Sequence, residues 1–98
     1  MWASIMLCLF FADSLAGLRY SIEVLENSSS FSLRLHVRQS DHFGWVILYR
    51  RLPGMSGWSE IQKVYIDRWQ LPKVYLLRDP VRGEVGWAYR IAWRIANI

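Results

Sequence analysis

Large apolar side chains alternate with small or cationic ones along residues 85–98. The large members of the pattern are Val85, Trp87, Tyr89, Ile91, Trp93 and Ile95. A period of two is typical of a β-strand that turns one face towards a core. A helix also fits the segment, because Ala88, Ile91 and Ile95 recur at helical spacing.

The preceding segment favours the strand. Residues 73–78 are rich in β-forming side chains, and Asp79, Pro80 and Gly83 are of the types that turns prefer. Residues 73–95 are therefore predicted to form a β-hairpin at the end of the chain.

Three earlier segments also predict strands. Residues 31–38 alternate between apolar and polar side chains, which is the clearest pattern of a half-buried strand in this sequence. Residues 19–26 predict its hairpin partner, because a short run of Asn and Ser separates the two segments. Residues 45–51 begin apolar on both faces, and this predicts a central strand.

Two segments predict helices. Residues 1–15 lack Gly and Pro and are rich in Leu, Met and Ala, and Gly17 follows where a helix would end. A strand buried on both faces is the alternative, because the segment is apolar nearly all round. Ser59 and Gln62 have the spacing of a capping box, which predicts a short second helix near residues 60–69 despite a β-favouring run inside it.

These elements predict an α+β fold, in which an N-terminal helix packs on a curved antiparallel sheet of about five strands. No repeat or linker composition divides the 98 residues, so a single domain over residues 1–98 is expected. Gly86, Ala88 and Ala92 give the last strand a face of small residues, and the first helix is expected to dock there.

Composition and charge limit the class of protein. Hydrophobic residues make up 53% of the chain and aromatic residues 15%, which argues against a disordered chain. The net charge is +4, and residues 50–98 carry nine cations against four acids. The positive field therefore comes from the second half of the chain.

The only cysteine, Cys8, excludes an intrachain disulfide and fits a reducing compartment, so a cytoplasmic protein is expected. Export through an N-terminal signal is the alternative, because residues 5–12 are apolar and Ser14, Leu15 and Ala16 have the spacing of a cleavage site. The apolar run is far shorter than the roughly 20 residues that span a bilayer, so no membrane span is expected.

The leading functional interpretation is a small non-catalytic binding or protein-interaction module. Trp87, Tyr89, Ile91 and Trp93 would share one strand face and line a mainly apolar pocket or interface for a small ligand or a protein. Filling a core is the competing role of these side chains. The chain offers more apolar surface than one small core can cover, which also predicts a homo-oligomer.

Single-stranded nucleic acid is an alternative partner. Arginines on the predicted strands would form a basic face bordered by aromatic rings, namely Arg34, Arg38, Arg50, Arg51, Arg90 and Arg94. Such a face contacts phosphates through Arg and stacks bases on rings. The competing interpretation is a set of solvated strand faces whose arginines stack on rings of the same protein.

A small enzyme that uses Asp41 and His42 is the third interpretation, with His36 as a second imidazole. Asp41 also suits a turn, and the sequence offers no partner that would orient either imidazole. His36 and His42 lack the spacing of a metal-ligand pair, and neither a phosphate loop nor a dinucleotide motif occurs. No catalytic residue, metal or cofactor is therefore assigned.

Overall fold

The computed structural model describes residues 9–26, 30–81 and 86–96, which form seven β-strands and one 3-10 helix. The strands are β1 (Leu9–Ala12), β2 (Leu18–Glu26), β3 (Phe31–Ser40), β4 (Gly44–Arg51), β5 (Ser59–Ile66), β6 (Lys73–Asp79) and β7 (Ala88–Ile95). The 3-10 helix, Arg68–Gln70, lies between β5 and β6. Within these described residues, no helix is long and apolar enough to cross a membrane.

The strands form two sheets. Sheet A has the order β1-β7-β4-β5, and sheet B has the order β2-β3-β6. Strand β1 runs parallel to β7, whereas the other paired strands run antiparallel. The two sheets enclose one hydrophobic core, as in a β-sandwich.

Alternation along each strand decides which side chains enter the core. The buried positions of β3 are the apolar ones of the alternating pattern, Phe31, Leu33, Leu35 and Val37. From sheet A, Leu48 of β4 and Ile91 of β7 enter the same core. The Phe31 ring stacks on the Tyr89 ring with centroids 3.9 Å apart, so this ring pair joins the two sheets.

The predicted hairpin of residues 19–26 and 31–38 and the central third strand are confirmed. Strands β2 and β3 pair antiparallel along their length, with a bulge between Arg19 and Tyr20. Strand β4 lies between β7 and β5. Both of its faces carry buried residues, since Leu48 enters the core and Ile47, which points the other way, is also buried.

The predicted α+β fold class is wrong, because the described residues form an all-β structure. The N-terminal helix predicted over residues 1–15 is contradicted in its described part, where Leu9–Ala12 form β1; residues 1–8 lie outside the described residues. Phe10 turns into the core, while Leu9 and Phe11 face away from it. A segment with large apolar side chains at nearly every position fits both a helix and a strand buried on both faces. The pairing of residues 9–12 with β7 shows that this segment is a strand.

The second helix predicted near residues 60–69 is also wrong, because Ser59–Ile66 form β5 beside β4. The β-favouring run at the end of this segment outweighs the capping-box spacing. Gln62 Oε1 accepts a hydrogen bond from the backbone N–H of Arg78 at 2.8 Å, so this side chain bridges β5 to β6 instead of capping a helix.

Residues 73–95 contain two strands, as predicted, but β6 pairs with β3 while β7 pairs with β4 and β1, so the expected hairpin is wrong. Asp79 is not an exposed turn residue, because its buried carboxylate accepts hydrogen bonds from Arg50 and Tyr89 of sheet A. Ala88 lies beside Leu9 on one side and Arg51 on the other. No described helix packs on the face of small residues.

Candidate functional site

Alternation on sheet A leaves a second set of side chains that point away from the core, and we call this set the outer face of sheet A. Its strand residues are Leu9, Phe11, Trp45, Ile47, Tyr49, Arg51, Glu60, Lys63, Tyr65, Ala88, Arg90, Ala92 and Arg94. The rings of Phe43 and Trp58 contact this set, and the ring of Trp69 contacts that of Phe43. The face is therefore built mainly from rings and cations.

Four rings on this face contact one another in succession, and we call them the aromatic row: Trp69, Phe43, Tyr65 and Trp45. Neighbouring ring centroids are 5.9, 6.4 and 5.1 Å apart in that order, which are ordinary distances for aromatic pairs. Trp69 is 76% exposed and Tyr65 is 38% exposed. The row thus offers rings to solvent beside β5, an edge strand of sheet A.

Strand register and one cap position the aromatic row. Trp45 and Tyr65 are register partners on β4 and β5, so their side chains leave the sheet on the same side. Asp67 accepts a hydrogen bond from the backbone N–H of Trp69 at 3.0 Å, and this bond begins the 3-10 helix that carries the Trp69 ring.

Three cations border the aromatic row. The ammonium nitrogen of Lys63 lies 4.6 Å from the centroid of the Trp45 ring, and the guanidinium carbon of Arg68 lies 4.9 Å from that of Trp69. Arg94 of β7 is the register partner of Trp45. Among the described residues, no carboxylate lies within 4.0 Å of these cations, and Arg68 Nη1 donates to the backbone carbonyl of Asp41 at 3.1 Å.

A second cluster on the outer face of sheet A surrounds Arg90. Its guanidinium carbon lies 5.5 Å from the Tyr49 ring centroid and 5.7 Å from the Trp58 ring centroid. Its Nε and Nη2 atoms donate to Oδ2 of Asp13 at 3.0 and 2.8 Å. These hydrogen bonds raise the pKa of Arg90 above its ordinary value, and the Asp13 carboxylate balances its charge.

Of the four residues expected to line a pocket, Tyr89, Ile91 and Trp93 share one face of β7, as the alternation predicts, and that face meets the core; Trp87 directly precedes the strand. Tyr89 and Ile91 are fully buried, and Trp87 and Trp93 are partly buried against the core. Tyr89 and Ile91 therefore belong to the hydrophobic core, and Trp87 and Trp93 pack against it.

The six arginines of the nucleic-acid hypothesis lie on three different surfaces. Arg34 and Arg38 are exposed on β3, on the outer face of sheet B. Arg50 turns inward, where its Nη1 donates to the two carboxylate oxygens of Asp79 at 3.0 and 2.9 Å. The remaining three lie on the outer face of sheet A: Arg51, Arg90 and Arg94. The single basic face expected from the sequence is therefore divided.

Asp41 and His42 form the turn between β3 and β4, and His36 lies on the outer face of sheet B. Ser40 Oγ hydrogen-bonds the backbone N–H and carbonyl of His42 and so stabilises this turn. The Nε2 atom of His36 lies 3.8 Å from the Glu23 carboxylate. The described residues contain no group of three or more His, Cys, Asp or Glu side chains that could hold a metal ion.

The sequence pattern does not assemble the aromatic row. Tyr65 and Lys63 belong to the segment predicted as a helix. The sequence therefore does not predict that their side chains share a sheet face with Trp45. Only the run of β-favouring residues near Tyr65 is a signal that could have found the strand and its outward side chains.

Comparison of the chain with protein-family models, with curated proteins and with solved structures gives no match. The function is therefore inferred from the geometry of the outer face of sheet A.

Proposed function

We propose that this protein is a small non-catalytic interaction module whose binding surface is the outer face of sheet A. The aromatic row carries the proposal, because its rings lie in succession on one side of a sheet next to Lys63, Arg68 and Arg94. Aromatic residues and Arg are the types that binding interfaces concentrate and that supply most of their binding energy.

Exposed rings of the aromatic row add little to the core. Trp69 and Tyr65 lie outside the buried cluster, and their exposed surface forgoes a burial free energy of about 25 cal/mol per Å². A contiguous exposed apolar surface with a polar border is typical of a binding site. The excess of cations on this border favours a partner that carries negative charge.

Self-association is a second part of the proposal, and the outer face of sheet B supports it better than that of sheet A. Val74 and Leu76 of β6 are each 51% exposed. Arg34, the register partner of Leu76, forms a 3.4 Å ion pair with Glu23. Exposed aliphatic side chains beside charges of both signs can complement a second copy across a two-fold axis.

Sedimentation equilibrium at micromolar concentration tests the self-association. We expect the wild type to have twice the 11.6 kDa monomer mass, and the Leu76→Lys variant to have the monomer mass. Met55→Lys, at an exposed residue between β4 and β5, is the control and should remain a dimer. A monomer mass for the wild type contradicts this part of the proposal and leaves the role of sheet A untouched.

A panel of anionic probes tests the proposed binding surface. The probes are polyglutamate, single-stranded oligothymidylate and vesicles that contain phosphatidylserine. We expect at least one probe to bind, with lower affinity for the double variant Lys63→Gln, Arg94→Gln and unchanged affinity for the matched control Arg19→Gln, Arg38→Gln at two exposed arginines of sheet B. No binding by any probe, or equal losses in the two double variants, contradicts the proposal.

A further inference from the structure

We infer that the partner of the aromatic row is a single-stranded nucleic acid, held by base stacking on the exposed rings and by phosphate contacts to Lys63, Arg68 and Arg94. The inference rests on the proposed function, since it names the partner class of the same surface.

The charge of the outer face of sheet A narrows the choice of partner. The face and its bordering 3-10 helix carry five cations, Arg51, Lys63, Arg68, Arg90 and Arg94, against three carboxylates, Asp13, Glu60 and the helix cap Asp67. Asp13 is already paired with Arg90. A second copy would bring a second set of like charges against the first, which disfavours a two-fold contact through this face. An anionic partner removes that repulsion.

The rings favour a nucleic acid over an acidic protein. An acidic peptide can pair with the cations but offers few planar groups for four successive rings, whereas every base of a nucleic acid has a face that can stack. Trp69 is exposed over 76% of its surface, and Arg68 lies against one face of its ring. A base can therefore stack on the uncovered ring or on the guanidinium plane.

The placement of the cations suits a strand that follows the aromatic row. Lys63 lies over Trp45 at one end of the row, and Arg68 lies over Trp69 at the other. Each cation is thus held within 5 Å of a ring, so a phosphate and its neighbouring base can be bound together. A duplex would keep its bases away from these rings, whereas a single strand leaves them free to stack.

Fluorescence anisotropy with labelled oligothymidylate tests the inference. We expect binding at low salt, and a slope of about −2 for log association constant against log salt if three phosphates are contacted. Lys63→Gln is expected to reduce the magnitude of this slope by roughly 0.7. Trp69→Ala is expected to weaken binding about 5- to 100-fold at constant salt, because a stacked base is lost.

Two controls make the test specific to this surface. Arg19→Gln and Arg38→Gln remove exposed cations from sheet B and should leave the affinity and salt slope unchanged. Circular dichroism melts verify that each variant is folded. A duplex of the same length is expected to bind at least tenfold more weakly, because its bases are not free to stack.

The outcomes separate the inference from the proposed function. Binding of polyglutamate or anionic vesicles without binding of oligothymidylate overturns the nucleic-acid inference and leaves the interaction surface in place. Absence of binding by all anionic probes overturns both. Equal affinity for single strand and duplex, or equal losses from Arg38→Gln and Lys63→Gln, also overturns the inference, because binding would then depend on net charge alone.

Discussion

The two faces of sheet A contain the same kind of ion pair in different surroundings. On the inner face, Arg50 donates to both carboxylate oxygens of Asp79, which is fully buried. On the outer face, Arg90 donates to Asp13, and the two side chains remain 34% and 39% exposed. Both are pairs of an arginine and an aspartate, but water reaches the outer pair more easily than the inner pair.

Burial determines the role of each pair. A buried charge that loses its partner is left uncompensated, whereas water takes the place of a lost partner at the surface. Asp79 belongs to sheet B and Arg50 to sheet A, so the inner pair joins the sheets. The outer pair orients Arg90 between rings, which shapes the binding face and adds little stability.

The largest expected effect comes from breaking the inner pair. Asp79→Ala leaves the Arg50 guanidinium, whose side chain is only 19% exposed, and the Tyr89 hydroxyl without the acceptor they share, and should lower the unfolding free energy by about 3–5 kcal/mol. Urea denaturation followed by tryptophan fluorescence measures this loss. Tyr89→Phe is the matched control, and should cost about 1 kcal/mol because the ion pair survives. A smaller loss for Asp79→Ala than for Tyr89→Phe contradicts the role given to the inner pair.

A glycine substitution tests the packing on which the inner face depends. A Cβ at Gly44 would lie 2.5 Å from the carbonyl oxygen of Arg94 and 2.7 Å from the Trp93 ring, so Gly44→Ala must move β4 away from β7. We expect a loss of about 1–3 kcal/mol in the unfolding free energy. Gly57→Ala is the control, because a Cβ there has no neighbour within 4 Å, and the loop that carries Trp58 to the outer face should accept it. Equal losses of unfolding free energy in Gly44→Ala and Gly57→Ala would contradict the close packing of β4 against β7 at Gly44.

Breaking the outer pair should have a smaller effect. Asp13→Asn removes the carboxylate charge beside Arg90 and should change the unfolding free energy by less than about 1 kcal/mol. The same denaturation experiment checks this value. A loss as large as that from Asp79→Ala would end the distinction between the two faces.

The smallest effect is expected at alkaline pH. Burial, and to a lesser extent the Asp67 carboxylate, raise the pKa of the Tyr75 phenol above its ordinary value. The unfolded chain therefore loses the phenol proton at a lower pH than the folded protein does. The contribution of Tyr75 to stability is thus present below about pH 10 and declines as pH rises further. The decline in thermal midpoint above pH 10 should be steeper for the wild type than for Tyr75→Phe. Identical slopes for the wild type and Tyr75→Phe would contradict a raised pKa of Tyr75 in the folded protein.

For β2, β3 and β4, both the strand and its place in the sheet could be predicted, because the information for them is local. In β2 and β3, alternation gives the buried face, and the short Asn- and Ser-rich run between them in the sequence predicts that the two strands pair. The apolar run that begins at Trp45 indicates a central strand, which β4 is. These predictions need no knowledge of distant partners.

The partners of β6 and β7 could not be predicted, because they pair with strands far away in sequence. Consecutive strands often form a hairpin, and Asp79 and Pro80 are of the types that turns prefer. The sequence does not reveal that the Asp79 carboxylate is buried against Arg50 of the opposite sheet. That interaction is set by tertiary packing, which overrides the local preference.

Only part of the candidate site could be predicted. Alternation separates Trp93 from Arg94 on β7, but it does not say that the larger side chains meet the core. The aromatic row depends on the register of β4 against β5, and on the cap that positions Trp69. Register and capping are properties of the assembled sheet, so the row emerges only in three dimensions.

Indole N–H resonances test most directly the claim that the inner face of sheet A holds the fold and the outer face binds. The chain has six tryptophans, and substitution of each by Phe assigns its signal. During titration with oligothymidylate at low salt, we predict that the signals of Trp45 and Trp69 shift while those of Trp87 and Trp93 stay unchanged. Shifts confined to Trp87 and Trp93 would contradict the account, because binding would then occur at the face that packs the core.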